Sequence, residues 1–404
     1  MAKPEISRRQ FLELLPKGLF SAWCSQNLQE SSPQTERDYK FLNGGCLIAN
    51  HHEFFFTNEL FWEQLAYYRI MGVKVIRAFA TDANKLTPHL CNGVEVGNRI
   101  SQMAPALREA DIKLIVPFAN NHCPVPGDGK YADNLPQIGD PTRTYYEITE
   151  PWFEGGFREN YLPFVRDLIT TVQKNGALDV IFAWEPGNEL HTPHNPEKLL
   201  NFYREATTFI KNLDPKTMIA SGTMGVNHIA PWTPFSQVCR EIYELENFDI
   251  ITLHTYDFIL DWSLATGNFD RIVSNGDMPI QLDFQLLRDM NLDRPVIMEE
   301  IGTSRTTPPY WNDQDDLNKL IYEARIVDYT LRNGVVGWGP WSFTTQGERI
   351  GDGNRGPCSY PGISLFQTGG EPTDSSRTRI EEVYRNLPQS PFATLREKFP
   401  NLGI

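Results

Sequence analysis

The feature that most constrains this chain is an alternation: eight short apolar runs, each followed by a stretch whose apolar residues recur at helical spacing. The runs are Phe41–Ala49, Val73–Ala80, Lys113–Ala119, Asp179–Trp184, Thr217–Gly222, Asp249–His254, Pro295–Glu300 and Val335–Phe343. The helical stretches are Asn58–Met71, Arg99–Ala110, Gly156–Asn175, Pro196–Leu213, Val238–Glu246, Leu282–Asn291, Asp315–Asn333 and Ser376–Asn386. A nearly continuous Val, Ile and Leu strand is covered on both faces, and a helix after each strand supplies that cover while returning the chain for a parallel neighbour. Eight such units are the number that closes a (β/α)8 TIM barrel, expected here as a single domain. An open doubly wound sheet is the competing arrangement. It normally shows a Gly-rich phosphate turn after an early strand, whereas Asn43-Gly44-Gly45 lies inside the first run with no G-x-G-x-x-G.

Composition bounds the partners. At 404 residues and 40% hydrophobic, the chain can bury a large core. A net charge of −14 argues against nucleic acid, because phosphate binding relies on clustered Lys and Arg. No apolar run approaches the roughly eighteen residues of a membrane span. A neutral substrate fits better, and nine Trp are compatible with a sugar, whose apolar face packs on an indole ring; most aromatics in any domain are nevertheless core. A monomer is expected.

Residues 1–37 differ from the rest. Ser7-Arg8-Arg9-Gln10-Phe11-Leu12 resembles the twin-arginine export motif and precedes a modestly apolar run, Leu14 to Trp23, then a polar stretch, Ser25 to Arg37. We expect 1–37 to be a signal and linker, 38–404 to be the catalytic domain, and the protein to be periplasmic or extracellular. The alternative is a frayed cytoplasmic N-terminus, because Pro16, Lys17 and Gly18 interrupt the apolar run and no Ala-x-Ala follows. Of six cysteines none forms a C-x-x-C pair. Cys91 and Cys123 could bridge neighbouring loops, with isolated buried thiols the plainer reading.

In a barrel of this kind, reactive groups collect at the C-terminal ends of strands. Glu189 follows the fourth run in Trp184-Glu185-Pro186-Gly187-Asn188-Glu189, and Glu300 ends the seventh in Val296-Ile297-Met298-Glu299-Glu300-Ile301-Gly302. Two carboxylates delivered by different strands to one cleft are the minimum apparatus for cleaving a glycosidic bond, one as proton donor and one as nucleophile or base. Arg77 lies near the end of the second run, Asn120 and Asn121 follow the third, His254 and Tyr256 close the sixth, and Trp338 and Trp341 belong to the eighth. A lone His is more often structural and an Arg in an apolar strand is often an ion-pair partner. Their coincidence at one rim is what points to chemistry.

These motifs resemble the clan A retaining glycosidases, and glycoside hydrolase family 5 in particular. Several stretches are similar to its endo-β-1,4-mannanase branch: Asp111 to Asn121, Ile181-Phe182-Ala183-Trp184-Glu185, Phe209 to Pro215, and Val296 to Gly302. The resemblance spans about residues 40 to 388. It implies Glu189 as acid/base and Glu300 as nucleophile, within a polar shell of Arg77, Asn120, Asn188, His254 and Tyr256, with Trp341 or Trp338 under the sugar. Asn188-Glu189-Leu190 departs from the family's usual Asn-Glu-Pro, which bears on substrate preference. The implied substrate is a β-1,4-linked polysaccharide, mannan first and cellulose second. A carbohydrate-binding barrel without catalysis and an intracellular exo-glycosidase are the other readings.

Retention requires the two carboxyls about 5–5.5 Å apart, with Glu300 ionised beside Arg77 and Glu189 protonated. Because successive strand residues point to opposite faces, Glu300 is expected in the cleft and Glu299 against the helix layer, where it needs a buried partner. Glu185 reads as a bystander. The close His pairs, His51-His52 and His191-x-x-His194, lack the further ligands of a metal site, so neither metal nor cofactor is expected.

Overall fold

The structure, a computed structural model, describes residues 46–51, 72–81, 92–120, 135–137, 140–145, 151–190, 195–223, 235–256, 280–302 and 326–340, with isolated positions between them. Eight strands form one parallel sheet: β1 (Cys46–His51), β2 (Val73–Ala78), β3 (Lys113–Pro117), β4 (Ile181–Glu185), β5 (Met218–Ile219), β6 (Ile251–Tyr256), β7 (Val296–Gly302) and β8 (Val335–Pro340). Their spatial order is β5-β4-β3-β2-β1-β8-β7-β6. The two outer strands meet where Ala220 bridges Ile250, with Ile250 N donating to Ile219 O at 3.2 Å and Ser221 N donating to Ile250 O at 3.1 Å. This is the (β/α)8 TIM barrel. Asp249 pins the seam, accepting from Ile219 N at 2.8 Å and from Lys211 Nζ at 2.7 Å.

Each of the eight expected runs carries a strand. The helices described are α1 (Gly93–Ala110), α2 (Phe157–Lys174), α3 (Pro196–Leu213), α4 (Phe235–Glu244), α5 (Ile280–Met290) and α6 (326–332). Helix α1 starts at Gly93 and not at Arg99, because the Asn92 side chain accepts from Val94 N and Glu95 N and caps the first turn. Helix α3 opens on Pro196, whose missing N–H costs nothing in the first turn. A short antiparallel hairpin, Leu135–Gln137 with Asp140–Tyr145, lies between β3 and α2 and was not anticipated.

Strand residues divide by parity. Ile76, Leu114, Trp184, Met298 and Trp338 belong to the hydrophobic cluster shared with the helices. The alternate residues Ile48, Val75, Ile115, Ala183 and Ile297 are fully buried outside that cluster, filling the barrel interior. Continuing each inner row toward the strand C-termini gives Asn50, Arg77, Glu185, His254 and Glu299, all buried polar groups. The cost of burying them requires that they satisfy one another.

Candidate active site

Arg77 organises this top layer. Its Nη2 donates to Glu185 Oε1 and to Asn188 Oδ1, each at 2.6 Å, and its Nε donates to Glu185 Oε2 at 3.0 Å. Its Nη1 donates to Glu300 Oε1 at 2.6 Å. The Nε also lies 3.2 Å from Glu299 Oε1, an ion-pair distance only, since its hydrogen is directed at Glu185. Burial opposes the charge on Arg77, but Glu185, Glu299 and Glu300 outweigh it and hold the guanidinium firmly protonated. Five donors in a rigid fork let one side chain serve β4 and β7 together, which a lysine could not do.

Glu189 stands on the loop after β4. Its backbone is left-handed, φ 53°, an uncommon state for a residue with a side chain, and its N–H donates to Gly222 O at 2.8 Å. Gly222 is itself left-handed, φ 64°, and a Cβ there would sit 2.1 Å from Gly187 O and 2.6 Å from Glu185 Oε1. Only glycine permits this approach of the β5 loop to the β4 loop. Asn188 is fixed on the other side: its N–H donates to Ala119 O at 2.8 Å, and its Nδ2 donates to Asn120 Oδ1 at 3.1 Å.

Strand β7 departs from regular alternation. Between its pairings with β6, Leu253↔Met298 and His254↔Glu300, it carries one extra residue, and the same irregularity recurs against β8 between Trp338↔Met298 and Pro340↔Ile301. This β-bulge at Glu299 and Glu300 corrects the expectation that the two point to opposite faces of the sheet. Glu299 keeps the inner parity of Ile297, and the bulge re-aims Glu300 so that it too reaches Arg77. Glu299 therefore faces the barrel interior and not the helix layer. Asn50 steadies the bulge, its Nδ2 donating to Glu299 O at 2.8 Å.

His254 joins the two banks. Its Nδ1 lies 2.7 Å from Glu189 Oε1 and 3.6 Å from Glu300 Oε2, and its Nε2 lies 3.4 Å from Glu299 Oε2. Both nitrogens face carboxyl groups, and the doubly protonated ring can donate to both. Burial disfavours that charge, but Glu300 and the bonds to Glu189 and Glu299 prevail and push the imidazole up to about 10. Free histidine titrates near about 6.5. The stability gained by holding His254 charged is thus complete below that value and lost as pH rises to about 10. We expect the melting temperature to fall across this alkaline window, and to fall less in His254→Gln; equal slopes would show that His254 is not the group responsible.

One ligand-type atom each from Glu189, His254 and Glu300 lies within 4.8 Å of the others. Each of the three is engaged by a neighbour, Glu189 and Glu300 by His254 and Glu300 also by Arg77. An oxygen of Glu189 and an oxygen of Glu300 thus stand within 4.8 Å of each other across the rim.

Of the remaining sequence candidates, Asn120 is buried beneath Asn188 and bridges it in parallel. Tyr256 closes β6, its side chain outside the described residues, as are Asn121, Trp341, His52, His191, His194, Cys91 and Cys123. Trp338 is corrected: it is 2% exposed, sits in the core cluster and donates from Nε1 to Thr330 Oγ1 on α6 at 2.8 Å. Strand parity turns it to the helices and away from the cleft, so it is no sugar platform. Trp338→Ala should lower stability by roughly 3–5 kcal/mol with activity per folded molecule retained; a selective loss of kcat/KM would overturn this placement. Sequence reasoning undervalued Glu185 and missed Asn50. The available signal was a charged or amide residue on the inner parity of an otherwise apolar strand.

Fold and site together define a (β/α)8 barrel with a carboxylate pair at the C-terminal rim, the layout of a glycosidase barrel. No family model matches the chain. In sequence it is similar to mannan endo-1,4-beta-mannosidase 7 of Arabidopsis thaliana, at 25% identity over 254 residues, covering 59% of this chain and 58% of that relative. The match thus spans little more than half the relative's length. In structure it resembles the endo-beta-1,4-mannanase from Thermotoga petrophila, with a TM-score of 0.61 and 20% identity over 85% of this chain and 77% of that one. It also resembles the glycoside hydrolase family 5 mannosidase from Rhizomucor miehei, with a TM-score of 0.56 and 15% identity over 88% and 94% of the two chains. These structural likenesses establish the barrel. The proteins it is similar to are named as mannanases or mannosidases, and the Rhizomucor structure is titled a family 5 enzyme. Among the described residues no helix is long and apolar enough to cross a membrane.

Proposed function

We propose that this chain is a retaining, endo-acting glycoside hydrolase that cleaves β-1,4-linked mannan, with Glu300 as nucleophile and Glu189 as acid/base. The observation that carries the reading is the convergence of Glu189, His254 and Glu300 within 4.8 Å, with Arg77 bound to Glu300. In the first step a Glu300 oxygen forms a bond to the anomeric carbon while the glycosidic bond breaks and Glu189 gives its proton to the departing oxygen. Arg77 keeps Glu300 ionised and oriented for this attack. As Glu189 becomes a carboxylate, the His254 Nδ1 hydrogen bond stabilises the new charge. In the second step Glu189 takes a proton from water, the water oxygen bonds the anomeric carbon, and the ester bond to Glu300 breaks.

The substrate reading is supported by the Arabidopsis relative and the Thermotoga structure, named for mannan or as a mannanase, and by the chain's net negative charge, which favours a neutral substrate. An endo-β-1,4-glucanase is the second reading and has less support from these names. The twin-arginine-like segment supports export to the periplasm or beyond, and we take the enzyme to act as a monomer. Incubation with galactomannan, carboxymethyl cellulose and aryl glycosides, with products sized early in the reaction, tests the reading. We expect oligosaccharides of mixed length from galactomannan with the β configuration kept. Monosaccharide alone would make it exo-acting, preference for carboxymethyl cellulose would make it a glucanase, and inverted products would remove Glu300 as nucleophile.

A further inference from the structure

The reaction accounts for two of the four buried glutamates in this layer. Glu185 and Glu299 lie behind the cleft, both fully buried, and both are held by Arg77. Among the described residues, four carboxyls, Glu185, Glu189, Glu299 and Glu300, therefore share two cations, Arg77 and His254. In the resting state Glu189 carries one proton, which still leaves three carboxyls for two cations in a region without solvent to screen them. Arg77 Nε stands 3.0 Å from Glu185 Oε2 and 3.2 Å from Glu299 Oε1, so the two carboxyls crowd one nitrogen, and the buried Glu299 Oε1 accepts no hydrogen bond among the described residues. Two carboxylates cannot hydrogen-bond unless a proton lies between them. We propose that Glu185 and Glu299 form a buried acid pair sharing one proton, and that Glu185, its neutral member, is a positioning residue holding Arg77 for Glu300.

The assignment of the proton follows from the neighbours. Glu299 faces two cations, Arg77 Nε and His254 Nε2, whereas Glu185 is bonded to Arg77 alone. The other groups around Glu185 are Tyr161 on α2 and Tyr203 on α3, both kept neutral chiefly by burial, and the backbone of Gly222. None of these is positive, and His254, not bonded to Glu185, lowers it less than Arg77 does. Burial raises Glu185 despite Arg77, with Glu299 adding to the rise, while Glu299 itself is held low against burial by Arg77 and His254. An acid and its conjugate base sharing one proton divide in this way. With the pair protonated once, the four carboxyls carry two negative charges against two positive ones, and the layer is neutral. Stripping the shared proton would give Arg77 a third full anion and draw its Nη1 away from Glu300.

Infrared spectroscopy of the full chain at neutral pH tests the pair without requiring turnover, so its outcome is separate from that of the glycosidase reading. Two protonated-carboxyl C=O bands are expected, one lost in Glu189→Gln and the other in Glu185→Gln. Survival of both bands in Glu185→Gln, or a single wild-type band that vanishes in Glu189→Gln, overturns the proposal. Should Glu185→Gln fail to fold, Glu299→Gln is expected to lose the same band, because Glu185 would then ionise on Arg77; failing both, the wild-type count against Glu189→Gln decides. For catalysis, Glu185→Gln cannot ionise, so the alkaline limb of its kcat/KM profile should move to higher pH. A limb unchanged in position, with only the height reduced, would leave Glu185 a merely structural residue.

Discussion

Glu300→Ala is expected to abolish turnover on every substrate, lowering kcat by roughly four orders of magnitude or more. Among the described residues no other carboxylate can substitute, because Glu189 lies on the opposite bank and Glu185 and Glu299 are sealed beneath Arg77. The fold should survive, since Arg77 keeps Glu185, Glu299 and Asn188 as partners. Glu189→Ala differs in kind. A good leaving group needs little protonation, so an activated aryl glycoside should still form the glycosyl-enzyme while polysaccharide turnover fails. Equal losses on both substrates would contradict this division of labour.

The second large effect is structural. Arg77→Ala leaves Glu185, Glu299 and Glu300 buried without their common cation, and breaking a buried pair in this way costs about 3–5 kcal/mol. Against a total stability of roughly 5–15 kcal/mol, that is enough to populate unfolded protein at moderate temperature. We expect a steep drop in melting temperature, relieved as pH falls and the carboxyls protonate. Arg77→Lys should recover part of the stability but little activity, because an ammonium cannot hold Glu185 by two bonds while reaching Glu300. A melting temperature near wild type in Arg77→Ala would mean that the carboxyls shed their charge by taking up protons, and that the cation is dispensable for folding.

The strands were legible because burial on both faces writes a continuous apolar signal, and parity then placed Arg77, Asn188 and His254 near one rim. Three things were not legible. Residues Leu135–Gln137 and Asp140–Tyr145 are too polar and short to read as strands. The start of α1 depended on a side-chain cap at Asn92, which apolar periodicity does not record. The bulge in β7 was hidden because an inserted residue leaves no mark on hydrophobicity, yet it decides where both Glu299 and Glu300 point. Alternation alone therefore identified Glu300 for the cleft but sent Glu299 to the wrong face. Trp338 showed the same limit from the other side: aromatic residues at a strand end do not reveal their direction until parity is fixed by the neighbours.

The seam between β5 and β6 has a bearing on how the barrel breathes. Traced along the sheet, four strands lie between β4 and β7, whereas across the seam only β5 and β6 do. The gap between Glu189 and Glu300 is thus gauged over the weakest join in the wall, where β5 contributes two residues and Asp249 acts as the clasp. Local openings begin where backbone pairing is sparse, so amide exchange should be fastest at Ile219 to Ser221 among the barrel strands. Each such opening would carry the Gly222 carbonyl, and with it Glu189, outward from His254. The tightness of a join far down the wall then sets how often the two carboxyls stand at working distance, and substitutions at Lys211 or Asp249 become a way to loosen the catalytic gap without touching any residue that lines it.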